Sequence, residues 1–283
     1  MLHIKVGGVP EHFNLPWHLC IEKKLFEKEG IHVEWIDFPG GTGAMCQALR
    51  KAEIDMAIIL SEGIVYDILQ GNNSHLLSWY VSSPLVWGIH TASTHSSNDI
   101  NDFEGKRYAI SRFGSGSHLM AYVDALNRNW KINEDQWVVV NHLDGALDSL
   151  THHDSELFLW EKFTTKPYVD AGTLKRIGEC PTPWPCFAIA ARDEQINDHK
   201  ASLQSIIQIV QKEAKLLKQD AHAVANIARR YKLLEADVTK WFADVAWAQD
   251  MKVDTETLEF IQHTLLKIGK IDQIQDGDTF ICN

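Results

Sequence analysis

The amino-acid sequence predicts an α/β protein made of two doubly wound lobes. Short apolar strands alternate with helical patterns over the first 85 residues, and after a strand-rich passage at 76–91 the alternation begins afresh. From about residue 194 onward the pattern is helical.

The first strand, HIKVGG at 3–8, ends in a glycine pair. Apolar residues at helical spacing follow in PWHLCIEKKLFEKEG at 16–30, where Gly30 stops the helix, and IHVEWIDF at 31–38 alternates as a half-buried strand does. Strand, helix and strand in that order make a βαβ unit. A second helix runs from Gly43 through AMCQALRKAE at 44–53, the apolar strand IDMAIIL occupies 54–60, and a helix spans Ser61 to about Leu69, before the turn GNNS at 71–74. Such alternation indicates a mainly parallel sheet, whose ligands bind beyond the carboxyl ends of its strands. In the second half, DFEGKRYAISRFGSGSHLMAYVDALNRNW at 102–130 reads as strand, glycine turn and helix, followed by a strand at 137–143, a helix at 144–153 and a strand at 156–161. The helical third opens with Leu203, Ile206, Ile207 and Val210 on one face.

A chain of 283 residues with 45% hydrophobic content suits two lobes of ordinary size with packed cores. Its 27 basic against 38 acidic side chains leave a formal charge of −11, the wrong sign for a protein that must attract phosphate backbones, so nucleic acid is not an expected partner. No segment has the run of about 20 apolar residues that a membrane-spanning helix needs. The start, MLHIKVGGVP, lacks the basic and apolar regions of a signal peptide. A cytoplasmic protein is therefore expected as printed, and a periplasmic or lipid-anchored one if this is a trimmed mature form. The cysteines, Cys20, Cys46, Cys180, Cys186 and Cys282, are odd in number and show no C-x-x-C spacing, which suggests neither a disulfide framework nor a zinc knuckle.

The stretches GGVPEHFNLPWHLCIEKKLFEKEGIHVEW, FPGGTGAMCQALRKAEIDMAI, DFEGKRYAISRFGSGSHLMAY and LFLWEKFTTKPYVDAG, in that order, resemble the type II periplasmic-binding-protein fold. Within it they are most similar to the branch of alkanesulfonate-binding and thiamine-pyrimidine-synthase-like proteins. The resemblance implies two lobes joined by crossover strands, residues 1–85 with 190–283 and residues 86–189, and a ligand held in the cleft between them. It further implies a solute-binding role like that of the substrate-binding components of ABC transporters, with a membrane permease as a possible partner if the protein is exported.

On that footing the turn GGTG at 40–43 offers a ligand the amides of Gly41 and Gly43, the Thr42 hydroxyl and the positive end of the helix that follows; its plainer role is a tight strand-to-helix turn. Ser61, at the next helix start, is a candidate of the same kind. In the second lobe, SRFGSGSH at 111–118 brings Ser115, Gly116 and Ser117 to a helix start, where a carboxylate, sulfonate or phosphate could sit near Arg112. The alternative is a serine N-cap with Arg112 in solvent. The turn is not a dinucleotide fingerprint, because Leu119 stands where a third glycine belongs.

Phe13, Trp17, Trp160 and Trp184 near strand ends would wall a planar ligand or, equally, fill a core. Glu161 could accept from a ligand amine or hydroxyl, or lie on the surface. Asn14 completes the candidate list, at the position where, read without a gap, the resemblance to pyrimidine synthases would require the reacting histidine; His12 lies close enough for a gap to place it there. Those enzymes also carry a dense cysteine cluster, whereas CPTPWPC at 180–186 holds two cysteines. The histidines form no i, i+4 ligand pair with a carboxylate, and neither a G-x-S-x-G elbow nor a P-loop occurs. No catalytic residue, metal or cofactor is therefore expected. The alternative function is a cofactor- or vitamin-biosynthesis enzyme on the same scaffold.

Overall fold

The computed structural model describes residues 1–282. The chain divides into two compact units, one formed by Met1–Pro84 with the chain from Trp184 onward, the other by Leu85–Pro183.

The first unit is built on a five-stranded sheet of β1 (Leu2–Gly8), β2 (Ile31–Asp37), β3 (Met56–Leu60), β4 (Ser74–Val81) and β10 (Phe187–Arg192), in the order β2-β1-β3-β10-β4. β1 is parallel to both β2 and β3, with Leu2 opposite Ile31 and Gly8 opposite Asp37. β10 runs antiparallel between β3 and β4, so the sheet is mixed. The return to this lobe, expected at 190, comes at Trp184, because β10 already belongs to the first sheet.

Helices α1 (Leu15–Glu22), α2 (Gly41–Arg50) and α3 (Ser61–Leu69) alternate with the strands. Pro16 in the first turn of α1 occupies a position whose N–H has no helical acceptor anyway. The helix expected over 16–30 stops at Glu22. Lys24 adopts a left-handed conformation (φ 51°), which turns Phe26 into the core at 1% exposure, and the segment closes with a 3-10 turn at Glu27–Glu29 and Gly30 at φ 73°.

In the second unit, β5 (Val86–Ala92), β6 (Tyr108–Ile110), β7 (Trp137–Val139), β8 (Leu157–Glu161) and β9 (Leu174–Pro181) lie in the order β7-β6-β8-β5-β9. β6 is parallel to β7 and β8, and β5 is antiparallel to β8 and β9. Helices α4 (Gly116–Asn127), α5 (Leu143–Thr151) and α6 (Lys166–Asp170) connect them. Ala92, Ala109, Val140, Ala146, Leu150, Phe158 and Leu174 form one buried cluster between sheet and helices. The strand expected over 137–143 ends at Val139, because His142 is taken as the N-cap of α5, its Nδ1 accepting from the Gly145 N–H at 3.2 Å.

After β10 the chain is helical: α7 (Asp193–Gln219), α8 (Ala223–Tyr231), α9 (Glu235–Asp244) and α10 (Thr255–Lys267). α7 buries the expected stripe of Leu203, Ile206, Ile207 and Val210, continued by Ala214 and Leu217. Asp254 caps α10 by accepting from the Thr257 N–H at 2.8 Å. Ile58 of β3 is fully buried at 0% exposure. Ile58→Ala is expected to cost about 2–5 kcal/mol through lost burial and the cavity left behind, read as a lowered urea midpoint with unchanged m-value.

Candidate functional site

Parallel strands collect their carboxyl ends on one edge of a sheet, and the helices that follow begin there. In the first unit this edge holds the ends of β1, β2 and β3. The antiparallel neighbours bring the start of β10 and the end of β4 to it, since Phe187 lies opposite both Leu60 and Val81. Gly41 (φ 65°) makes the sharp turn into α2 and donates its N–H to the Phe38 carbonyl at 2.9 Å. Its amide is thus used inside the turn, whereas no bond of the turn engages the N–H groups of Thr42 and Gly43 at the helix start.

The Thr42 methyl rests on Gly63, where a Cβ would come within 2.3 Å of it. The first turn of α3 therefore packs on the α2 turn. Ser61 donates its hydroxyl to the Pro185 carbonyl at 2.5 Å, and Glu62 accepts from the Trp184 indole N–H at 2.8 Å. Glu62 is 3% exposed, and its Oε1 is buried with no hydrogen-bond partner among the described residues. Burial pushes its carboxyl up to about 7, against the pull of the helix N–H and the Trp184 indole.

Other candidates in this unit are more deeply placed. Trp17 is fully buried among Phe26, Trp35 and Tyr80. Phe13 packs on Phe187 and Trp241, and its carbonyl accepts from the Tyr80 hydroxyl and the Trp247 indole. Asn14 is fully buried; its Nδ2 donates to the Val9 carbonyl at 2.8 Å while its Oδ1 meets no partner among the described residues. The first two are core in this arrangement, and Asn14 fixes the turn after β1.

In the second unit the matching edge gathers the glycine turn after β6, the end of β8 and the start of β5. Ser115 is the N-cap of α4, accepting from the His118 N–H and donating to the Arg112 carbonyl at 2.7 Å. Ser117 accepts the Ser111 N–H at 2.9 Å. Both hydroxyls are committed within the turn. The N–H groups of Gly116 and Ser117 enter none of its bonds, and no hydrogen bond or ion pair among the described residues engages the exposed Arg112 guanidinium.

A side chain that sequence reasoning passed over, Trp87, lies against this helix start. A Cβ on Gly116 would come within 2.7 Å of Trp87 Cη2 and 3.0 Å of Cζ2, the ring edge that carries Nε1. That Nε1 is buried with no partner among the described residues. Trp87 meets Trp160 edge-on with centroids 6.4 Å apart, and Trp160 stacks on Phe158 at 5.3 Å. Phe113, 55% exposed, adds an aromatic at the tip of the turn. Glu161 faces inward on its own loop: its carboxylate accepts from the N–H groups of Phe163 and Thr164 and from the Thr164 hydroxyl, which counter the upward push of burial on its carboxyl.

Burial also holds the histidines His12 and His90 neutral by lowering each to about 4, and it pushes the thiols of Cys20, Cys46, Cys180 and Cys186 up. No group of three His, Cys, Asp or Glu side chains able to hold a metal ion occurs among the described residues.

Two α/β units of mixed five-stranded sheets, each presenting helix starts on the carboxyl edge, are the architecture of the periplasmic binding proteins, and the sequence resemblance to the type II fold stands. A profile described as Ca3427-like PBP matches residues 87–180, about a third of the chain. Among solved structures, the Candida albicans CA3427 gene product, described as defining a new family with the generic periplasmic binding protein fold, is similar with TM-score 0.89 and 26% identity, covering 100% of this chain and 96% of that one. The periplasmic aliphatic sulphonate binding protein SsuA of Escherichia coli gives TM-score 0.77 and 14% identity over 100% and 92%. The nitrate-binding protein NrtA of Synechocystis gives 0.73 and 14% over 98% and 84%. No curated protein sequence matches the chain. The fold is shared with 1038 matching chains, so ligand choice must be argued from the site.

The raised Glu62 carboxyl has a consequence for stability. Between its ordinary value of 4.5 and about 7 the native state binds more protons than the unfolded chain, so stability falls as pH rises through that window. The expected loss is on the order of 3 kcal/mol. Urea unfolding at about pH 5 and about pH 8 measures it, and Glu62→Gln should remove most of the difference.

Proposed function

We propose that the chain is a solute-binding protein that captures a small, anionic and partly planar molecule at the carboxyl-end edge of its second unit. The observation that carries this reading is the start of α4: two N–H groups outside every bond of the turn, the nearby Arg112 guanidinium that no described residue engages, and the Trp87 ring next to Gly116 with Trp160 edge-on to it. Helix-start amides suit an oxyanion because the donors are fixed before it arrives and the helix dipole favours negative charge. The α2 turn of the first unit offers the same chemistry through Thr42 and Gly43. Two proteins of similar fold bind oxyanions by their names, an aliphatic sulphonate and nitrate.

The described groups favour binding over turnover. Four of the five thiols are pushed up by burial, His12 and His90 are held neutral, and the Glu161 carboxylate is fully occupied. No helix among the described residues is long and apolar enough to cross a membrane, so a transport role would work through a separate permease.

Calorimetric titration with methanesulfonate, nitrate and benzenesulfonate tests the reading. Binding is expected, tightest for the aromatic sulfonate, with a tryptophan fluorescence change that Trp87→Phe or Trp160→Phe diminishes. Arg112→Gln should weaken it about fivefold at low salt, and less at high salt, since the side chain is exposed. Failure of all three anions to bind at about millimolar concentration, or steady conversion of any of them to product, would overturn it.

A further inference from the structure

The first turn of α3 is where the first unit receives the returning chain. Ser61 donates its N–H to the Cys186 carbonyl at 3.1 Å and its hydroxyl to the Pro185 carbonyl, while Glu62 holds the Trp184 indole at 2.8 Å. The Cys186 N–H in turn donates to the Ser83 carbonyl at 3.3 Å, one residue before the outgoing chain leaves this unit at Pro84. Both crossings are therefore fastened at one helix start.

Among these ties, the one to Glu62 alone involves a titratable group, and it is incomplete. As a carboxylate, Glu62 has the Trp184 donor for Oε2 and none among the described residues for Oε1. As an acid still accepting from Trp184 through Oε2, it carries its proton on Oε1. The carboxylate thus leaves one buried oxygen unmet, which weakens its preference over the acid. The bond to Trp184 nevertheless differs between them, because a charge-assisted hydrogen bond is roughly twice as strong as a neutral one.

The surroundings leave this balance to burial. Helix α3 packs against α2, α10, β3, β4 and β10. No charged side chain on them shifts the Glu62 carboxyl; desolvation raises it, opposed by the helix N–H and the Trp184 indole. The titratable neighbour that feels its charge is the fully buried Cys186 thiol, which stays protonated. Burial brings the exchange of this proton to about pH 7.

We propose that Glu62 is a proton-operated positioning residue: its carboxylate fixes Trp184, and with it the returning crossing, onto the first turn of α3, and its protonation loosens that hold. The Ser61 ties persist in both states, so the change is a slackening of residues 184–186 and not their release.

The test uses the full chain without ligand. The indole ¹⁵N–¹H resonance of Trp184, assigned by its disappearance in Trp184→Phe, is followed between about pH 5.5 and about pH 8.5. A titration with midpoint near 7 is expected, moving toward a more weakly hydrogen-bonded position in acid, and Glu62→Gln should abolish it. A resonance that does not titrate, or one that still titrates in Glu62→Gln, overturns the proposal. Should that variant fail to fold, the carbonyl stretch of a buried protonated carboxyl in the infrared difference spectrum of the wild-type protein decides: its appearance with the same midpoint supports the assignment, and its absence overturns it.

Discussion

A helix that begins where a parallel strand ends must leave its first N–H groups without helical acceptors, and the proposed site depends on how those groups are met. Both units solve it alike. A glycine with positive φ, Gly41 in one and Gly114 in the other, turns the backbone sharply, and amides are consumed inside each turn, that of Gly41 by the Phe38 carbonyl and those of Gly114 and Ser115 by His118 Nδ1 and the Arg112 carbonyl. At α4 the hydroxyls of Ser115 and Ser117 stiffen the turn instead of facing outward, which leaves the backbone itself as the donor array. Preorganised amides of this kind lose little freedom on meeting an anion.

The antiparallel strand in each sheet is what completes these edges. If β10 ran parallel to β3, its amino end would lie at the far side of the sheet; running antiparallel, it delivers Trp184, Pro185 and Cys186 to the first turn of α3. β5 does the same in the second unit, placing Trp87 opposite Glu161 and close to Gly116. Each unit thus gains a tryptophan at its carboxyl edge from a strand that a purely parallel arrangement would have pointed away.

This is also where the sequence is legible and where it is not. The alternation of strands and helices, the start of α3 at Ser61 and the buried stripe of α7 follow from period and punctuation, which are local properties. Strand direction is not local: FAIAAR and VWGIHTA read as apolar strands whichever way they run, so mainly parallel sheets were expected and mixed ones are found. The site divides in the same way. The glycine turns announce themselves, but Trp87 reads as one more apolar residue of a buried strand until the structure sets it on Gly116. Glu62 reads as an ordinary acid in a first helical turn until Trp184, 122 residues further on, covers it. Trp17, fully buried, is ambiguous in the opposite sense: an aromatic near a strand end looks the same in sequence whether it walls a ligand or fills the core.

The polar atoms left without partners also distinguish the two edges. A buried donor or acceptor that meets nothing costs about 1–3 kcal/mol, so a fold keeps few of them without a reason. Several here are spread through the packing, as at Tyr108 and Trp137. Others belong to the carboxyl edges, among them Asn14 Oδ1 and Glu62 Oε1 in the first unit and Trp87 Nε1 in the second. The two units thus differ in kind. The second presents donors, from the Trp87 indole and the α4 amides, beside the cationic Arg112. The first adds unmet acceptors to its α2 amides. Each edge taken by itself therefore favours a different group: donors meet an acid, and unmet acceptors meet an N–H or O–H.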